Sequence, residues 1–409
     1  MAVETTLPVS YRSLLRVRGL PRIVLAALLG RTALQMLSVA MVLFVLERFH
    51  STTLAGLAVF AYALPGVLVS PLAGALLDHS GRVPLIRLDY SIAGVAVLLI
   101  LLLDRIGVLD PGLLIGIAVL GSLTSPLSSA GTRTLFPVLV PPALWDRANA
   151  VDSAGYVIAA VTGAPLAAVV AGLVGRPAAL LATALVFLAA AASLVGVGRL
   201  TPLRPGGSLR EVPGQAWAGL VYVARNPTLR GLAVSLSVIN LASGLLIVAV
   251  PLLVLDRFHE NAAVVGALWA VSAASGGVNA VFAGHRGSQD RERRMLVGGT
   301  LGSVLAVLLL AFAPNVLVAA LAMLIWGGSG GWMDIGLFSV RQRRTDPAWY
   351  GRAFAVSMSL NSVGSPIGSA IAGPLLGPGL TAGLLFGALA ALISAGICIL
   401  MVPPRARLG

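Results

Sequence analysis

The sequence predicts an all-α membrane protein in which twelve transmembrane helices form two pseudo-symmetric six-helix bundles. Three observations support this fold class. The 409 residues are 58% hydrophobic and only 11% charged, whereas soluble domains carry about 25% charged residues. Twelve apolar segments are long enough to cross a bilayer, and a six-residue motif from the first half recurs in the second half. A water-soluble fold is therefore not expected.

The twelve apolar segments come first. A membrane-spanning helix requires about 20 predominantly apolar residues. Cutting the chain at its charged and turn-rich breaks leaves these segments: Ile23–Leu46, Leu54–Leu77, Leu85–Leu103, Leu113–Val140, Asn149–Leu173, Ala178–Val197, Leu232–Leu255, Ala262–Ala283, Met295–Ala313, Val316–Val340, Ala353–Leu376 and Leu380–Val402. They do not alternate between apolar and polar residues, as the strands of an outer-membrane barrel would. The first segment is longer than the apolar core of a signal peptide, so we expect it to remain in the mature protein.

The charges between the segments predict the orientation. The net charge is +13, and all 28 basic residues are arginines. They are scattered between apolar runs and not clustered on one polar face, so nucleic-acid binding is not expected. Only four arginines fall on the side opposite the N-terminus, whereas 23 fall on the same side as the N-terminus. The positive-inside rule therefore predicts a multi-pass protein of the bacterial inner membrane with both termini in the cytoplasm.

A long polar break divides the segments six to six. The residues between Arg199 and Arg230 are rich in proline and glycine, which do not continue a helix. We therefore predict an N-terminal half of residues 1–198, a cytoplasmic linker of residues 199–230 and a C-terminal half of residues 231–409. VLERFH at Val45–His50 recurs as VLDRFH at Val254–His259, an offset of 209 residues. In transporters built from such repeats, the substrate site lies near the midplane between the halves.

The loop after the second segment carries a family signature. It contains Gly74, Asp78, Gly81 and Arg82 in the spacing of a glycine, an aspartate four residues later, and Gly-Arg before the third helix. This pattern resembles the signature of the major facilitator superfamily, which implies the major facilitator fold and transport by alternating access. In that family the aspartate faces the start of the eleventh helix, so the resemblance implies that Asp78 and Arg82 help to gate the cytoplasmic side.

The fifth segment points to the direction of transport. The stretch from Arg147 to Pro165 resembles the corresponding region of bacterial drug/proton antiporters that export macrolides and siderophores. An echo of its Gly163-Ala164-Pro165 occurs in the eleventh segment as Gly364-Ser365-Pro366. The resemblance implies a hinge at Gly163, Pro165, Gly364 and Pro366. A proline kink that serves only helix packing is the alternative.

Two charged residues lie deep in the apolar segments. Arg31 is about 12 Å and Asp334 about 9 Å from the predicted cytoplasmic side, at 1.5 Å per residue. Charged groups at such depths are costly and mark functional sites. We predict that Arg31 and Asp334 form a switchable ion pair across the central cavity, which is made when the cytoplasmic side is closed and broken when it opens. Asp89 and Asp152 are alternative partners for Arg31, or capping carboxylates near helix ends.

Other polar residues share this depth or lie further inside. The 209-residue offset places Asn240 of the seventh segment opposite Arg31. Gln35 and Trp326 are further candidates for the cavity wall. The glycine-rich run from Gly327 to Gly331 is expected to bend the tenth helix. This mild lining suits an amphipathic or aromatic cargo.

The predicted function is secondary active transport. We expect a monomer that exports lipophilic or amphipathic small molecules, such as drugs, macrolides or siderophores, in exchange for protons. Nutrient uptake by symport is the alternative, and a membrane-embedded enzyme is a remote one. No histidine joins a metal-ligand cluster, no phosphate-binding glycine loop is present, and Cys398 is the single cysteine. No cofactor, metal site or disulfide is therefore expected.

Overall fold

A computed structural model describes residues 11–141, 144–198, 212–286, 291–346 and 349–402. Within these ranges the secondary structure is helical, without a β-strand. The α-helices are α1 Tyr11–Leu15, α2 Leu20–Phe49, α3 Thr52–Ser80, α4 Arg82–Arg105, α5 Pro111–Ser122, α6 Ser125–Leu139, α7 Trp145–Leu173, α8 Arg176–Ser193, α9 Val212–Arg225, α10 Pro227–Leu252, α11 Ala262–Arg286, α12 Glu292–Ala311, α13 Val316–Arg343, α14 Tyr350–Leu376 and α15 Leu380–Met401.

The predicted transmembrane segments coincide with helices. Among the described residues, eleven helical spans are long and apolar enough to cross a membrane, with α5 and α6 counted together as one span. The remaining predicted segment is α14, whose 27 residues reach about 40 Å at 1.5 Å per residue. The all-α membrane fold predicted from the sequence is therefore confirmed.

The repeated motif ends a transmembrane helix in both halves. His50 (φ 48°) and His259 (φ 54°) are the two non-glycine residues with positive φ in the described part of the chain. Arg48 Nε donates to Asp104 Oδ1 at 2.6 Å, at the end of α4. Arg257 Nη1 donates to the Ala311 carbonyl at 2.9 Å, at the end of α12. Each motif thus ends a transmembrane helix next to a histidine of positive φ and contacts the third transmembrane helix of its own half, although Leu253–Arg257 form a π-helical turn where the first motif stays α-helical.

The two halves are joined at one face of the molecule. We call the face near the start of α2 and the end of α15 the terminal face, and the other the opposite face. A single buried hydrophobic cluster includes Val42 and Val45 of α2 together with Leu246 and Val250 of α10, all toward the opposite face. Its members from the second half come from the ends of their helices nearest that face.

At the terminal face the described buried clusters belong to one half each. One cluster contains Leu20 and Val140 of the first half. Another contains Leu232 and Val340 of the second half. Because the buried apolar cluster that spans both halves lies toward the opposite face, the described clusters close that face and leave the terminal face as the side of the opening.

The fourth segment is interrupted, although the sequence predicts one continuous helix there. Helix α5 ends at Ser122 and α6 begins at Ser125. Pro126 has no N–H group and cannot donate to the carbonyl of Ser122, so the helical hydrogen-bond ladder breaks at this position. The Ser122 carbonyl lies beside Gly66 of α3, 2.5 Å from the position of an added Cβ.

The glycine-rich run of the tenth segment is helical throughout α13, and the predicted bend does not interrupt the helix. A Cβ added at Gly327 would lie 1.8 Å from the Ser272 carbonyl, and one added at Gly331 would lie 2.1 Å from the Gly276 carbonyl. The glycines therefore allow α11 and α13 to pack with their backbones in contact, as small residues do in membrane helices.

Candidate functional site

A cavity of about 800 Å³ lies between the two halves. Most of its wall comes from helices α2 to α8, and α10, α11 and α14 complete it. Apolar side chains dominate the lining. The larger polar and aromatic side chains that line the cavity are Arg31, Gln35, Tyr62, Asp89, Tyr90, Tyr156, Phe187 and Trp269. A mostly apolar cavity with few polar groups is typical of a small-molecule site.

Arg31 is held by α7 of its own half. Its Nη2 lies 2.5 Å from Asp152 Oδ1, and its Nη1 donates to the Asp152 carbonyl at 3.0 Å. The guanidinium also stacks on Tyr156, 3.6 Å from the ring centroid. Gly155 leaves room for this arrangement, since a Cβ there would lie 3.2 Å from Nη1. The side chains of Arg31 and Asp152 are 11% and 14% exposed, so Arg31 is a paired residue of the interior.

The predicted contact between Arg31 and Asp334 is not formed in this structure. Asp334 is exposed on α13, and no residue of α13 is among the described residues that line the cavity. The reason is helix packing: α2 packs along α7 within the same half, which brings Asp152 to Arg31, whereas Asp334 belongs to the other half. Trp326 also lies outside the described cavity wall and packs against the hydrophobic clusters.

Asn240 does not line the cavity in the described part of the chain. Its Nδ2 donates to the Asn361 carbonyl at 2.8 Å. Asn240 and Asn361 are each 209 residues after Arg31 and Asp152, and Arg31 makes the same type of contact with the Asp152 carbonyl. The two halves therefore share one contact between corresponding helices, but only the first half adds an ion pair to it.

Asp89 is a polar group of the cavity whose importance is not evident from the sequence. It is 3% exposed and lines the cavity beside Tyr90. The hydroxyl groups of Thr124 and Ser128, at the break between α5 and α6, lie within hydrogen-bonding reach of its carboxylate. Its Oδ1 is nevertheless buried without a hydrogen-bond partner among the described residues. From the sequence alone, a carboxylate this close to a helix end is interpreted as a helix cap. Only the packing of the helices shows that Asp89 is buried.

Trp269 presents the second unsatisfied group of the cavity. Its Nε1 is also buried without a partner among the described residues. It lies on α11 in the second half and lines the cavity. An unpaired acceptor from α4 and an unpaired donor from α11 therefore both belong to the wall of one cavity. Buried polar groups are normally hydrogen-bonded, so these two are candidates for ligand contacts.

The predicted gating motif is only partly described. Gly81 adopts φ +88° between α3 and α4, a conformation that favours glycine. Arg82 then begins α4. The surroundings of Gly74 and the side chain of Asp78 lie outside the described residues, as does the side chain of Arg352. The gating role of this motif stays a prediction.

The proposed hinge residues lie in continuous helices, with Pro165 inside α7 and Pro366 inside α14. Gly364 approaches Ser237 and Asn240, whereas Gly163 approaches Thr32 and Gln35. The counterpart of Gly364 in the 209-residue register is Gly155, which approaches Arg31. The two Gly-x-Pro triplets therefore do not occupy equivalent positions, and their echo in the sequence does not reflect the repeat.

The fold and the central cavity define a polytopic membrane transport protein. The chain belongs to the Major Facilitator Superfamily, which matches residues 23–369.

Its similarity to known proteins extends to curated sequences and to solved structures. It is 39% identical over 361 residues to the "Uncharacterized MFS-type transporter y4rN" of Sinorhizobium fredii, covering 88% of this chain and 89% of that one. It is 26% identical over 352 residues to the "Enterobactin exporter EntS" of Shigella boydii, covering 84% and 82%. A crystal structure of a mutant of the nucleoside transporter NupG matches with a TM-score of 0.78 at 11% identity, covering 94% and 99%. That likeness shows the fold.

Proposed function

We propose that this transporter exports amphipathic small molecules from the cytoplasm in exchange for protons. The observation that carries the proposal is the cavity of about 800 Å³ between the halves, which is mostly apolar and contains a buried carboxylate without a partner on Oδ1. An apolar chamber binds the body of such a molecule. A carboxylate inside the membrane can take up and release a proton.

The arginine distribution supports the orientation. The terminal face carries the arginine-rich loops, and under the positive-inside rule such a face lies in the cytoplasm. We propose the inner membrane as the location. The described contacts between the halves close the opposite face. In this orientation the cavity is open toward the cytoplasm, which is the state in which an exporter loads its cargo. We propose that the monomer is the transporting unit.

Asp89 is our candidate for the proton carrier, in place of Asp334. Asp152 is already bound to Arg31. Asp334 is exposed and outside the described cavity wall. Asp89 is buried and lines the cavity, so its protonation would change the charge of the chamber itself.

The similarity to a protein named as an enterobactin exporter supports export. Uptake by symport is the alternative direction. The structural likeness to NupG, a nucleoside transporter, is compatible with that alternative.

The test is transport into inside-out membrane vesicles with an acidic lumen, using a panel of lipophilic drugs and siderophores. A proton-coupled exporter accumulates cargo in these vesicles, and collapse of the pH gradient abolishes accumulation. Accumulation that occurs only in right-side-out vesicles would show uptake by symport. We expect Asp89→Asn to lose gradient-driven accumulation and Asp334→Asn, the matched control, to keep it. The opposite result would identify Asp334 as the proton carrier.

A further inference from the structure

The charges that line the cavity are unevenly balanced. Among its described lining residues, Arg31 is the only one with a basic side chain and Asp89 is the only one with an acidic side chain. Arg31 is already bound to Asp152 through both Nη atoms, and its guanidinium face is covered by Tyr156. The positive charge of the wall is therefore neutralised within α2 and α7, and the negative charge of Asp89 is not.

Asp89 faces a limited set of groups. Tyr90 follows it on α4, and Thr124 and Ser128 approach it from the break between α5 and α6. Arg31 and Tyr156 are close to Tyr90, but Arg31 is engaged by Asp152. The hydroxyl groups can donate hydrogen bonds but carry no charge, and Asp89 Oδ1 has no partner among the described residues. An ionised Asp89 would therefore keep an uncompensated charge in a poorly solvated place. A buried carboxylate in that condition is destabilised unless a cation or a donor joins it.

Aromatic side chains line the same cavity. Tyr62 and Tyr90 contribute from the first half, and Trp269 contributes from the second. Aromatic faces attract cations as well as flat apolar groups. An ammonium group on an aromatic body would therefore meet a carboxylate and aromatic faces in the same chamber.

We infer that the cavity selects a substrate with a flat apolar body and a protonated amine, whose N–H group donates to the Asp89 carboxylate. This inference rests on the proposed function and names the substrate class of its site. An ammonium group satisfies the buried acceptor and neutralises its charge, and charge-assisted hydrogen bonds are among the strongest. An anionic cargo, such as an acidic siderophore, would place like charges together with no described basic side chain free to compensate.

Three pyrene derivatives provide the test. 1-Pyrenemethylamine, 1-pyrenemethanol and 1-pyreneacetate share one aromatic body and carry a positive, neutral or negative group. Binding to the purified full-length protein in detergent is measured at neutral pH by energy transfer from tryptophan to pyrene. A hydrogen bond to a charged group contributes about 1.5–3 kcal/mol, so we expect the amine to bind about 10- to 100-fold more tightly than the acetate.

The variants separate binding through Asp89 from non-specific hydrophobic binding of the pyrene group. Asp89→Asn should reduce amine binding by about tenfold or more and leave alcohol binding within about twofold. Asp334→Asn, the control carboxylate outside the described cavity wall, should leave all three affinities unchanged. Size-exclusion profiles and melting temperatures check that the variants fold, and the comparison of the three ligands on the wild type requires no variant at all.

Several results overturn the inference. They are acetate binding as tight as amine binding, an amine affinity unaffected by Asp89→Asn, and no amine binding to the wild type. None of these bears on transport direction, which the vesicle experiment measures separately. Conversely, if the protein selects the amine but transports in the uptake direction, the proposal of export is wrong and the inference about the substrate class still holds.

Discussion

Arg31 and Asn240 occupy the same place in the two halves of the molecule. Arg31 on α2 donates to the carbonyl of Asp152 at 3.0 Å, and Asn240 on α10 donates to the carbonyl of Asn361 at 2.8 Å. Donor and acceptor residues are both separated by 209 residues between the halves, the offset of the repeated RFH motif. In each half, the first and fifth transmembrane helices are thus joined by the same type of contact, from a side-chain nitrogen to a backbone carbonyl. Only the first half adds an ion pair, between Arg31 and Asp152, to this contact.

The ion pair on this contact should contribute strongly to stability. Removing one partner of a buried pair costs about 3–5 kcal/mol, because the other charge is left uncompensated. We expect Arg31→Ala and Asp152→Ala each to lower the melting temperature in detergent markedly. The double variant should recover part of the loss.

An exposed pair serves as the control. The Arg48 side chain is 43% exposed in its pair with Asp104, and exposed pairs contribute about 0–1 kcal/mol. Arg48→Ala should therefore change the melting temperature much less than Arg31→Ala. Equal effects of the two substitutions would contradict the structural role assigned to the Arg31 pair.

The glycines of α13 should differ sharply in their tolerance of a side chain. A Cβ at Gly331 would lie 2.1 Å from the Gly276 carbonyl on α11, whereas at Gly330 no atom lies within 4 Å. Gly331→Ala should destabilise the protein by about 1–3 kcal/mol through overpacking. Gly330→Ala should be neutral or stabilising by up to about 1 kcal/mol, since alanine favours the helix. Thermal unfolding of the two variants in detergent measures this difference. Equal melting temperatures of the two variants would contradict the close packing of α13 on α11.

The closed opposite face should open during transport. Gly172 on α7 and Ala263 on α11 lie on that side, and a Cβ built at Gly172 is 3.3 Å from the Ala263 Cβ. This separation is close to the 3.5–4.5 Å that a disulfide requires. We expect Gly172→Cys with Ala263→Cys to cross-link under oxidation and to stop transport until a reductant is added.

The single-cysteine variants are the controls for this experiment, and native Cys398 is buried away from that face. Full transport by the cross-linked protein would show that the halves do not separate there.

The signature loop should affect turnover more than folding. We expect Asp78→Asn and Arg82→Ala to insert normally but to transport more slowly, because the family resemblance places these charges at the gate of the cytoplasmic side. Expression and melting temperature report on folding, and initial rates in vesicles report on turnover. Wild-type rates in both variants would remove the motif from the mechanism.

Much of the fold follows from local properties of the sequence. A span must be about 20 apolar residues long because its backbone has no water to bind inside the bilayer. Length and polarity can be read along the chain, so the segments and the RFH repeat at His50 and His259 were predictable. The break before Ser125 was predictable in principle from Pro126, since a missing N–H group is a local property too.

The candidate site required the tertiary structure. Depth in the membrane follows from position along a helix, at about 1.5 Å per residue, and by depth alone Asp89, Asp152 and Asp334 were all possible partners of Arg31. The choice among them depends on which helices pack together and which way each side chain points around its helix axis. Packing of α2 on α7 selected Asp152. Asp89 was predicted as a possible helix cap. Because it is buried against α6, it is instead an acceptor in the cavity wall with an unpaired oxygen.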